Sequence, residues 1–177
     1  MSMFNNLKKE EKNIFLGIVF IFLISIPLHF AYEFSNNNYI VGIFTPVNES
    51  IWEHLKLSFY PTLIWWFISF LFISKNRKIS AASWFVACTF SLVTSPIIIT
   101  ALYYINTGAF GIHSLVLDIL SLLIGVFLGQ ILGLHVYTYK KSNIYDLYTA
   151  ISIILVIILL FTFFTFCPAN YPIFISK

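Results

Sequence analysis

Five long apolar runs, separated by short polar breaks, make up nearly the whole chain. They cover residues 13–34, 50–74, 80–105, 111–137 and 146–166, and the breaks fall at 35–47, 75–79, 106–108 and 138–145. About 20 apolar residues in helical conformation cross the hydrocarbon core of a bilayer, and runs of about 18 or more qualify as spans. Lipid offers backbone amides and carbonyls no partner, so each run must satisfy them internally, and within one segment only a helix does so. That demand overrules the strand preference of the abundant valine and isoleucine. The pattern predicts an all-α fold: a polytopic membrane helix bundle of about five transmembrane helices, forming a single membrane domain over residues 1–177.

Composition agrees. Hydrophobic residues make up 59% of the chain and charged residues 10%, against about 25% charged in soluble domains. So few charges cannot cover a soluble surface, and the expected partner of the apolar excess is the lipid bilayer of the cell membrane. The net charge of +3 therefore carries no indication of nucleic acid; the placement of the basic residues carries more. Lys8, Lys9, Lys12, Lys75, Arg77, Lys78, Lys140 and Lys141 fall on one side of a five-span arrangement, and Lys56 and Lys177 on the other. Basic residues concentrate on the cytoplasmic side, which predicts the N-terminus inside and the C-terminus outside. The first run follows a basic segment, as a signal peptide does. It exceeds the roughly 7–15 apolar residues of such a peptide, lacks a small-x-small cleavage pattern, and reads as a retained span. Cys88 and Cys167 share no metal or redox spacing.

The remaining ionisable residues gather at the predicted outer face. His29 and Glu33 end the first span, Glu49, Glu53, His54 and Lys56 open the second, and His113 and Asp118 open the fourth; His135 alone sits toward the inner face. Residues four apart share a helix face, so His29 and Glu33 point together, while His54 projects about 100° from Glu53. As one helix, residues 50–74 measure about 37 Å, more than the roughly 30 Å hydrocarbon core, which leaves the first turns at the interface. Ser50 and Glu53 have the spacing of a capping box. Gly125, Gly129 and Gly133 form a small-residue stripe that admits close helix approach. It predicts a central fourth span with Asp118 turned inward, or a homo-oligomer contact through these glycines.

Imidazole and carboxylate side chains on three spans suit a divalent metal such as zinc. His29, Glu33, His54 and His113 are the candidate ligands. Glu53, Glu49 and Asp118 are the candidate catalytic groups, one of them a base for metal-bound water, and Lys56, Asn48 and Trp52 the candidate substrate-binding groups. The chemistry expected is that of a metal-dependent membrane-embedded hydrolase or transferase. Two other classes fit the same residues. Intramembrane ionisable groups also mark transporters of ions or small molecules, although no continuous relay reaches the inner half. A non-catalytic sensor or accessory subunit would use the polar cluster for recognition, and a purely structural role would tie the outer helix ends together through ion pairs.

The segments His-Phe-Ala-Tyr-Glu-Phe-Ser at 29–35 and Val-Asn-Glu-Ser-Ile-Trp-Glu-His-Leu-Lys at 47–56 resemble the signature of a family of small bacterial multipass membrane proteins of unknown function. The resemblance covers most of the chain. It implies a membrane bundle and marks the two segments as hallmarks, and it brings no substrate, cofactor or mechanism.

Overall fold

A computed structural model describes residues 8–75 and 79–176. Among the described residues there is no strand, and five helices are long and apolar enough to cross a membrane. They are α1 (Lys9–Phe34), α3 (Ile51–Ser74), α4 (Ala81–Tyr104), α5 (Leu115–Tyr139) and α6 (Ile144–Phe166). A short helix, α2 (Tyr39–Phe44), occupies the break that the sequence treats as a loop. The chain is an all-α, multi-pass bundle. Arg77, Lys78 and Lys177, which enter the comparison of basic residues, lie outside the described residues.

Local chemistry sets the helix ends. The Lys8 amide donates to the Glu11 carboxylate at 2.8 Å, which starts α1 a turn before its apolar run. Asn143 and Asp146 form a reciprocal capping box on α6, and Ser80 caps α4. After Phe34 the chain turns through Asn36 and Asn37, both left-handed at φ 58° and 59°, a conformation asparagine tolerates better than most residues. Helix α4 continues through a π-helical turn, Ile105–Ala109. A 3₁₀ turn at Pro172–Phe174 follows α6.

Alternating direction brings the end of α1, the start of α3, the end of α4, the start of α5 and the end of α6 to one end of the bundle. Lys8, Lys9, Lys12, Lys75, Lys140 and Lys141 lie at the other. There the Trp65 indole N–H reaches the Asn13 carbonyl at 3.1 Å, and a cleft of about 330 Å³ opens between Lys8, Glu11, Ser80 and Tyr137.

Helices α3 and α4 form the centre. Half of the apolar window of α3 and 44% of that of α4 are buried, against 28% for α5 and 17% for α6. This corrects the expectation that the fourth span, α5, is central: its glycine stripe is packed, but the rest of its circumference faces outward. The α4–α5 pairing is the most extensive in the bundle. A Cβ on Gly125 would stand 2.9 Å from the Ser95 carbonyl, one on Gly129 2.9 Å from that of Ser91, and one on Gly133 3.1 Å from that of Ala87. Backbone meets backbone along this line, so the stripe that the sequence offers to a neighbouring span or to a second copy is filled here by α4. On the same face Ser121 is buried, whereas Asp118, expected to turn inward, is exposed.

Each central helix carries a proline. Pro61 has no N–H for the carbonyl of Leu57, four residues earlier. The buried Ser25 hydroxyl of α1 lies 2.6 Å from that oxygen and 2.7 Å from the Ile21 carbonyl of its own helix. Deeper in, the Trp84 indole N–H donates to the Trp66 carbonyl at 2.9 Å, and the Trp66 indole N–H to the Gln130 side-chain oxygen at 3.2 Å.

Candidate metal centre

Three of the residues singled out by the sequence converge at the end away from the lysines. His29, near the end of α1, and His54, one turn into α3, place their Nε2 atoms 3.0 Å apart. Glu49, just before α3, brings Oε2 to 3.3 Å from His54 Nε2 and 3.9 Å from His29 Nε2. All three ligand atoms lie within 4.8 Å of one another.

The His54–Glu49 spacing has the length of an edge of a coordination polyhedron, while the 3.0 Å between the two imidazoles is a hydrogen-bond contact and the 3.9 Å from His29 to Glu49 is longer than an edge. Zinc ligands at about 2.0–2.2 Å in tetrahedral geometry lie roughly 3.3 Å from one another. The imidazole of His54 is also oriented for ligation. Its Nδ1 is 2.8 Å from the Ser50 carbonyl oxygen, which can only accept, so the proton sits on Nδ1 and the lone pair on Nε2. Such a hydrogen bond on the far nitrogen is the usual support of a metal-bound histidine. His29 and His54 are each 28% exposed and Glu49 is 62% exposed, so the centre is walled by helices on the histidine side and open on the carboxylate side.

The other expected ligands stand apart. Glu33 is exposed at the end of α1 and is outside the three-residue group. His113, before α5, is exposed and also outside it. Asp118 is within electrostatic reach of both His54 and His113 and is outside the three-residue group.

Glu53 and Lys56 form a second, buried group. Their side chains are 2% and 0% exposed and meet at 2.7 Å. Lys56 Nζ also donates to the carbonyls of Gly42 at 2.8 Å and Thr45 at 3.2 Å. The Gly42 carbonyl has no helical donor, because the residue four positions on is Pro46. Glu53 Oε2 accepts the Val47 amide at 3.0 Å, and Oε1 accepts the Thr165 hydroxyl of α6 at 2.9 Å. Glu53, expected as a catalytic group, and Lys56, expected as a substrate-binding group, thus both have their side chains committed inside the protein. The capping box is half made. The Ser50 hydroxyl accepts the Glu53 amide at 3.4 Å, but the Ser50 amide goes to Asn48 Oδ1 at 2.9 Å and the Glu53 carboxylate turns elsewhere. Asn48 thus braces its own turn. Trp52 stacks among Phe161, Phe164 and Phe174, with ring centroids at 5.0, 5.4 and 5.1 Å, and thereby ties the segment after α6 to α3.

Sequence reasoning missed the supports: the Ser50 carbonyl behind His54, Thr165 behind Glu53, and the α2 carbonyls around Lys56. The Ser50–His54 spacing of four was the one visible signal. No curated protein and no solved structure matches the chain. Residues 1–177 match a family described as one of unknown function, DUF6512, and the chain belongs to that family.

Proposed function

We propose that the protein is a metal-dependent hydrolase or transferase of the cell membrane, with a divalent transition metal held by His29 Nε2, His54 Nε2 and Glu49 Oε2. The convergence of these three atoms from two helices and a loop carries the reading. Two histidines and one glutamate are a ligand set of catalytic zinc, which keeps a fourth position for water. Bound there, zinc would act as a Lewis acid and bring its water's pKa to about 7. The open side at Glu49 is where a substrate would enter. Asp118, exposed and within electrostatic reach of His54, is the candidate to take a proton from an attacking water. The bias of basic residues toward the opposite end supports an outer-face centre, and lipid head groups and wall precursors are the substrates such a centre would meet.

The test is the metal content of protein purified in mild detergent without chelator, read by elemental mass spectrometry. About one equivalent of a transition metal per chain is expected, lost in His29→Ala and His54→Ala and weakened at least tenfold in Glu49→Gln. Asp118→Asn should retain the metal and lose turnover in a screen of lipids and wall precursors. Wild-type protein that takes up neither zinc nor cobalt on loading would overturn the proposal.

A further inference from the structure

Residues 47–56 hold two of the three ligand groups, and only one of those, His54, stands on a helix. Glu49 belongs to the linker between α2 and α3, and its side chain is 62% exposed. A carboxylate so placed meets two helix-borne imidazoles only if its backbone is held, since an unrestrained linker would distribute it over many positions.

The backbone is held on both sides of Glu49. On one side the Val47 amide donates to Glu53 Oε2 at 3.0 Å, and on the other the Ser50 amide donates to Asn48 Oδ1 at 2.9 Å. Farther back, Lys56 Nζ gathers the Gly42 and Thr45 carbonyls at 2.8 and 3.2 Å. Thr165 anchors the other oxygen of Glu53 to α6 at 2.9 Å. Gly42 lets the linker fold tightly: a Cβ there would stand 2.8 Å from Val47 Cγ1 and 3.0 Å from the Tyr32 ring.

A buried ion pair contributes little net stability over a well-packed apolar pair, and its best-attested use is to fix one arrangement among several. Glu53 and Lys56 have that form. They spend their hydrogen bonds on the linker, while His54, between them on the same helical turn, faces His29. We infer that the Glu53–Lys56 pair is a clamp that sets Glu49 against His29 and His54, so both are positioning residues for the metal. The inference rests on the metal reading above.

Replacing both charges together, as Glu53→Gln with Lys56→Met, avoids stranding either one. Cobalt titration in detergent, followed by visible absorption, then compares this double variant with wild type and with Glu49→Gln. Amide exchange over residues 42–50 is measured alongside. The expected result is at least tenfold weaker cobalt binding, a spectrum that coincides with that of Glu49→Gln, and faster exchange at Val47 with the long helices still protected. Should the double variant fail to insert, Glu53→Gln alone should shift the spectrum in the same direction by a smaller amount. Unchanged affinity and spectrum in the variants, with wild type binding cobalt, overturn the clamp alone. A wild type that binds no cobalt overturns the metal reading and the clamp with it.

Discussion

At the scale of residues, the segment from Val47 to Lys56 reads as one device in which neighbouring side chains divide the labour. Glu49 and His54 face the candidate centre, Asn48 and Ser50 shape the turn into α3, and Glu53 and Lys56 hold the linker from beneath. The pair has an energetic signature. Lys56→Met alone leaves the Glu53 carboxylate buried beside an apolar group, and breaking a buried pair in this way costs about 3–5 kcal/mol. A thermal melt in detergent should show that loss for the single variant and recover much of it when Glu53→Gln is added. Equal melting points for the single and double variants would show that the charges are not coupled. The residue types were legible in the sequence, and so was their gathering at one face. Their pairing was not. Helical periodicity joined His29 to Glu33 on one stripe, whereas His29 in fact meets His54 and Glu49 from elsewhere in the chain, and no periodicity within a single helix encodes where a second helix will stand.

At the scale of elements, the apolar runs announced all five long helices, because lipid leaves a spanning segment no alternative to helix. The glycine spacing announced a close contact on α5 without naming α4 as the partner. The short helix α2 escaped notice, since six residues in a polar break carry no period to read. The prolines left a subtler trace. Pro61 strips the Leu57 carbonyl of its donor, and Ser25 on α1 stands within 2.6 Å of it. Ser25→Ala should therefore cost about 1–3 kcal/mol, the usual penalty for a buried acceptor left without a donor. With Pro61→Ala in the background, residue 61 regains its N–H, and the cost of Ser25→Ala should shrink toward zero. A double-mutant cycle on thermal stability measures the difference; equal costs in both backgrounds would show that the serine does not serve that carbonyl.

At the scale of the whole molecule, two helices bury about half of their apolar windows and three leave most of theirs exposed, which is why composition alone identified the class of the protein while leaving its activity open. The candidate ligands gather at one end, and the lysines other than Lys56 that lie among the described residues gather at the other. Five alternating helices bring the end of α6 to the same end of the bundle as the end of α1 and the start of α3. The described residues that follow α6 therefore lie at the same end as His29, Glu49 and His54, and Phe174 touches Trp52, two residues before His54 in the chain. That has a practical edge for anyone purifying the protein. A polyhistidine tail appended after Lys177 would be tethered to the end of the bundle that holds the candidate centre, as a chelator at an effective concentration in the millimolar range for a short flexible link. Such a tail would compete for the metal proposed at the candidate centre, and an affinity handle belongs at the opposite terminus.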